Sequence, residues 1–175
     1  YIGTACGVVT RDPDTGRVNV GTYRVQVKGP ATCSSYISNG KQGRIHRDKY
    51  LKAGKPCPVV IIVGTDPLTY LAAGYTLPDS MPEYEWAGGL MGQPMELIEG
   101  QVTGLPFPAR SEIVLEGEMS ATETTLALVA KEGALDLRVL RRHRGVVPDM
   151  PVMRRQDRLV TGGPGPPGRV VGHRL

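Results

Sequence analysis

The sequence predicts an α+β domain built on an antiparallel sheet or barrel. Three observations lead there: paired-strand alternation at the start, a buried apolar strand that runs straight into a capped helix, and strands that outnumber the helices interleaved among them. At 175 residues the chain is long enough for one domain with a real core, and two full domains are not expected.

GVVT, the turn cluster RDPDTGR and the period-two run VNVGTYRVQVKG, rich in Val, Thr and Tyr, read as a hairpin. The polar segment 34–43 reads as a loop. RIHRDKYLKAG then has helical charge spacing and ends at Gly54, a suitable residue just past a helix end. PVVIIVG reads as a buried strand. In GTDPLTYLAAG, Asp66 can cap a helix whose first position is Pro67, where the missing N–H is not needed and φ is already helical. PEYEWAGGLMGQPMELIEG is mixed, with glycines that allow turns or close packing, and LPFPARSEIVLEGEMS returns to a strand.

The net charge of +4 is unevenly divided: residues 1–130 carry −2 and residues 131–175 carry +6. The basic tail 132–175 is rich in Gly, Pro and Arg, has no aromatic residue, and is expected to be irregular. Base stacking and specific nucleic-acid recognition are therefore not expected of it. Its GGPGPPG run reads as a linker. No apolar run has bilayer-spanning length and no basic leader is visible, so a soluble, cytoplasmic protein is expected. Cys6, Cys33 and Cys57 are far apart and form no CxxC, which favours reduced thiols filling the core over a disulfide or zinc site. His46, His143 and His173 make no metal-binding pattern, and His46, among basic residues, reads as a helix-surface residue. No nucleophile elbow, P-loop or GxGxxG is present.

Among candidate chemical residues, Asn19 and Arg24 lie five apart on one strand, so they face opposite sides unless Gly21 bends it. Either they are an edge residue and a surface or ion-pairing residue, or Asn19 offers oxygen to a metal and Arg24 orients a carboxylate through its planar fork. Glu83 and Glu85 precede Trp86 and two glycines; they form a solvated acidic turn or sit where something approaches the backbone closely. Glu112 and Glu116, four apart, share a strand face that can equally be the solvent side.

Taken in order, TRDPDTGRVNVGTYR, GKQGRIHRDKYLKAGKPCPVVIIVGTDPLTYLAAG, EYEWAGGLMGQPMELIEG and LPFPARSEIVLEG resemble successive blocks of the UbiD family of decarboxylases. The resemblance covers roughly residues 1–125 and implies a split β-barrel flavin-binding domain over residues 1–131, with flanking regions on both sides in the complete enzyme. It implies reversible, non-oxidative decarboxylation of a small aromatic or α,β-unsaturated carboxylic acid with prenylated FMN. A divalent Mn2+ or Mg2+, and K+ by family likeness alone, accompany that cofactor. Homo-oligomerisation and a flavin prenyltransferase as cofactor source are implied as well.

Carried position by position, the resemblance makes Asn19 a metal ligand on the flavin phosphate and Glu83 a second one. Arg24 falls in the catalytic Glu-Arg-Glu network. The cofactor cradle falls on Val20, Gly21, Thr22, Tyr23 and Arg24 and on Ala73, Gly74, Tyr75 and Thr76, while Lys41 or Gln42 stands where some relatives place a metal-binding histidine. Glu132 matches the start of the family's EGPFGE-like acid motif, but the acid position falls on or near Leu137, with Asp136 beside it. The tail reads as frameshifted: suitable codons for RVLRRHRG and GRVVGHRL give GYYAGTG and GEWWDT in a neighbouring frame. The chain as written is therefore expected to be an incomplete, inactive copy. The rival readings are a non-catalytic flavin-binding relic and a nucleic-acid-binding protein with a basic tail.

Overall fold

A computed structural model describes residues 1–2, 6–78, 80–124, 135–144 and 152–153. In chain order the elements are β1 (Cys6–Arg11), β2 (Val18–Gly21), β3 (Arg24–Gly29), β4 (Thr32–Tyr36), α1 (Gln42–Lys52), β5 (Cys57–Val63), α2 (Pro67–Gly74), α3 (Glu83–Met91), β6 (Leu97–Glu99), β7 (Pro106–Pro108), β8 (Ile113–Thr124), β9 (Leu135–Arg144) and β10 (Val152–Met153). An antiparallel seven-stranded sheet runs β2-β1-β5-β8-β9-β4-β3, and a three-stranded sheet runs β10-β6-β7. The fold is α+β.

The two edges of the large sheet, β2 and β3, are separated in sequence by Thr22 and Tyr23 alone. Two residues span less than about 11 Å, so the sheet must roll until its edges nearly meet. The result is a barrel split along one seam. The run VNVGTYRVQVKG, expected as one strand of a hairpin, is therefore two strands. Its first half pairs with β1, matching Val9 to Val20 and Thr10 to Asn19; its second half crosses the seam and pairs with β4. At the break Tyr23 N–H donates to the Gly21 carbonyl (3.2 Å) and Thr22 N–H to the Ala73 carbonyl (3.2 Å).

Alternation on β5 separates two apolar clusters. Val59 and Ile61 join Val8, Tyr23, Val25, Cys33, Leu115 and Met119 in one. Val60 and Ile62 join Val20, Ala73, Tyr84, Leu97, Ile98 and Phe107 in the other, where α2, α3 and the small sheet cover the barrel. A strand buried on both faces is why PVVIIVG is apolar throughout.

The predicted caps are present. Asp66 Oδ1 accepts from Thr69 N–H (2.9 Å) with Pro67 at the first helical position, and Gly54 (φ 68°) follows the α1 terminus. Two local expectations are corrected. Ser34, Ser35 and Tyr36 belong to β4 and not to a loop, because Ser34 and Ser35 are buried between paired strands. Residues 135–144, expected within an irregular tail, form β9, whose backbone hydrogen bonds are taken up by β8 on one side and β4 on the other. All three cysteines are buried, and burial pushes the Cys57 thiol up to about 12. Among the described residues no helix is long and apolar enough to cross a membrane.

Candidate functional site

The barrel seam opens into a cavity of about 570 Å³, within the range of small-molecule and cofactor sites. Four separate segments line it: the end of β2 with the turn into β3, the loop into α1, the C-terminus of α2, and the first turn of α3. From these come Asn19, Val20, Gly21, Thr22, Tyr23 and Arg24; Lys41 and Gln42; Ala73, Gly74, Tyr75 and Thr76; and Glu83. Every described residue expected at the site thus faces one space.

The opposite-face objection to Asn19 and Arg24 disappears because they are not on one strand. Gly21 ends β2, and Arg24 opens β3 on the far side of the seam. Asn19 is 5% exposed and its Nδ2 donates to Tyr23 Oη (3.3 Å), so its carboxamide oxygen remains as an acceptor. Arg24 is exposed, 6.0 Å from the Tyr1 ring, and makes no ion pair with the described residues.

Glu83 is 7% exposed, and its Oε2 has no hydrogen-bond partner. Burial raises its pKa, opposed by its own N–H, the Val20 N–H and the charge of Arg17. A buried carboxylate oxygen without a donor is costly, and a cation satisfies it. Asn19 and Glu83 together offer oxygen donors, which suit a hard divalent ion that keeps other ligands besides protein groups. No cluster of three or more His, Cys, Asp or Glu exists among the described residues, so an all-carboxylate or histidine cage is not built there.

The α1 N-terminus adds positive potential. Its N-cap, Lys41, makes no side-chain capping bond, and its first turn holds no acidic residue. Backbone N–H groups at such an end attract anions. The residues present therefore fit a phosphate-bearing cofactor with an oxygen-bound cation.

The remaining candidates are elsewhere. Glu132 lies outside the described residues. Glu85 and Glu112 are exposed and do not line the cavity. Glu116, expected on a possible solvent face, is 0% exposed; its Oε2 accepts from Val102 N–H, Thr103 N–H and Thr103 Oγ1 (2.8–3.0 Å), clamping the loop before β7. His46 is corrected from surface to interior: it is 1% exposed, with Nδ1 3.1 Å from Thr10 Oγ1 and Nε2 3.9 Å from Asp12 Oδ2. It is buried because α1 packs that face onto β1. The cavity also recruits Arg17, Tyr36, Ser38, Asn39, Gly40 and Leu77, which local patterns do not single out. Gly40 (φ 79°) at the end of a polar run is the one signal that marks this loop.

A family model described as "UbiD: 3-octaprenyl-4-hydroxybenzoate carboxy-lyase Rift-related domain" matches residues 1–153. An uncharacterized protein of Aquifex aeolicus (strain VF5) is 36% identical over 116 residues, 66% of this chain and 24% of that protein. Among solved structures, vanillic acid decarboxylase of Sedimentibacter hydroxybenzoicus in its closed form is similar with TM-score 0.73 and 29% identity, covering 81% of this chain and 33% of that one. An evolved dimeric UbiD-class enzyme from Pelotomaculum thermopropionicum, in complex with prFMN, gives TM-score 0.74 and 27% identity over 81% of this chain and 35% of that one. Flavoredoxin of Desulfovibrio vulgaris (Miyazaki F), at 10% identity and TM-score 0.55 over 79% of this chain and 68% of that one, shares the fold alone. The chain spans about a third or less of the UbiD-class structures and curated relative.

Proposed function

The chain belongs to the UbiD family, and from that premise we propose that its seam cavity holds prenylated FMN, the cofactor for non-oxidative removal of carbon dioxide from an aromatic or α,β-unsaturated acid by the complete enzyme, of which this chain by itself is an inactive part. The observation that carries this reading is the convergence of four separated segments on one cavity, where the buried Glu83 oxygen lacks a partner beside Asn19. The flavin complex of the Pelotomaculum enzyme supports the choice of cofactor.

In this reading Asn19 and Glu83 would hold Mn2+ or Mg2+ near the flavin phosphate, and Lys41, Gln42 and the positive N-terminal end of α1 would add charge complementarity to that phosphate. Backbone at Val20–Tyr23 and Ala73–Thr76 forms the cradle, kept at fixed spacing by the Thr22 to Ala73 hydrogen bond. When bound, prenylated FMN supplies an electron sink for cleavage of the bond to carbon dioxide. Arg24 grips the substrate carboxylate through its fork, free of competing ion pairs from the described residues. By family likeness, Glu132 orients the acid that returns the proton. A flavin prenyltransferase as cofactor source and self-assembly of the longer enzyme complete the proposal.

The test is titration of FMN with the chain, with and without Mn2+, followed by flavin fluorescence. Asn19→Ala and Glu83→Gln are expected to weaken the Mn2+-dependent binding by about 10-fold or more, the cost of losing one charged or coordinating contact worth about 1.4 kcal/mol. Equally tight Mn2+-dependent binding in both variants refutes the site.

A further inference from the structure

The Tyr23 side chain is tightly held at the seam. It is 8% exposed although it lines the cavity. Its ring lies between two glycines: a Cβ at Gly21 would overlap the ring, and one at Gly43 would come within 2.6 Å of Cε2. Both positions leave room for this ring and for nothing larger on the backbone. The hydroxyl then receives two donors, Asn19 Nδ2 at 3.3 Å and the Gly43 N–H at 3.2 Å. The second donor is a first-turn N–H of α1, whose N-cap residue, Lys41, makes no side-chain capping bond of its own. One hydroxyl thus ties β2 to the helix that carries Gln42.

We propose that Tyr23 is a positioning residue that sets the orientation of the Asn19 carboxamide, holding its nitrogen end so that its oxygen end meets a cation beside Glu83. The inference rests on the reading of Asn19 and Glu83 as a cation site. A carboxamide has one end that a cation accepts and one that it repels, and the two interchange by rotation about a single bond. With its nitrogen bonded to Tyr23 Oη, the amide enters the site already turned the right way. Without that bond, part of the binding energy is spent on selecting the oxygen-inward rotamer. Hydrogen-bond partners that orient metal ligands commonly account for about 10- to 100-fold in metal affinity.

The experiment uses Mn2+ binding in the presence of FMN, read as the disappearance of the free-Mn2+ EPR signal, so no turnover is required. Five forms of the chain are compared: wild type, Asn19→Ala, Tyr23→Phe, Asn19→Asp, and Asn19→Asp with Tyr23→Phe. Tyr23→Phe keeps the ring in its cage and removes the hydroxyl; it is expected to weaken Mn2+ by about 10-fold. A carboxylate has two equivalent oxygens and no wrong orientation, so in the Asn19→Asp background the same change is expected to cost less than about 2-fold. Equal losses in both backgrounds would assign Tyr23 a structural role and overturn the proposal, as would wild-type affinity in Tyr23→Phe. Undiminished affinity in Asn19→Ala is the distinct outcome that removes the cation site itself, and this proposal with it.

Discussion

Acidification from pH 7 to pH 5 is expected to cost the fold about 2 kcal/mol through His46 alone. In the folded chain its pKa is lowered from 6.5 to about 4, first by burial and then by Lys49 and Arg17, with Asp12 opposing. The unfolded chain therefore takes up a proton between about pH 6.5 and pH 4 that the folded chain refuses. Stability from this group is fully present above pH 6.5 and declines as the pH falls through that window. Two other groups with shifted pKa also shape the pH dependence. Burial works to raise the pKa of Asp12, but Lys49, the N–H groups of Asp14 and Thr15, and His46 lower it overall, so its contribution is lost only at still lower pH. Glu83, raised by burial, acts in the opposite sense and gains stability on acidification. The total slope is thus a mixture, and the difference between wild type and His46→Gln isolates the histidine. Urea unfolding followed by the fluorescence of Trp86, the chain's single tryptophan, at pH 7, 6 and 5 measures it. Wild type should lose about 2 kcal/mol more than His46→Gln across that range. Parallel pH dependences would refute the assignment of His46 as a buried neutral residue. The loss also reaches the site, because His46 anchors the helix whose first turn lines the cavity.

Three further outcomes are expected. Arg24→Lys keeps the charge but loses the planar fork, so flavin uptake should change little while affinity of the flavin-loaded chain for a carboxylate such as cinnamate falls about 10-fold; unchanged carboxylate affinity would reject the role. Asp66→Ala removes the α2 cap and should cost about 1 kcal/mol, seen as a fall of about 3 °C in Tm, with no loss if the capping bond is unimportant. Carbon dioxide release from cinnamic, hydroxybenzoic and heteroaromatic acids is expected to be absent for this chain reconstituted with prenylated FMN. A positioned acid supplies about two to four orders of magnitude, and Leu137 stands where the family resemblance calls for one. Multiple turnover would refute that expectation and point to Asp136.

Local chemistry makes much of the chain legible without any tertiary contact. Asp66 followed by Pro67 can cap only a helix start, Gly54 suits the left-handed turn after a helix, and PVVIIVG has no polar face to present to water. Ordered motif blocks pointed to Asn19, Arg24, Lys41, Gln42, Ala73–Thr76 and Glu83 as one site, although nothing in their spacing says that they meet. That meeting is a property of the rolled sheet. Periodicity reads VNVGTYRVQVKG as continuous because alternation carries no record of which strand lies alongside. The partners of β2 and β3 are β1 and β4, chosen by pairing and burial at long range. Rolling places the edges together, puts Asn19 and Arg24 on either side of the seam, and opens the cavity there. The same long-range packing buries His46 and Glu116, whose neighbours in sequence suggest a surface, because a face becomes interior only when α1 or the loop before β7 is laid over it. Residue type and order determined which groups the chain has to offer; closure of the barrel decided which of them share a space.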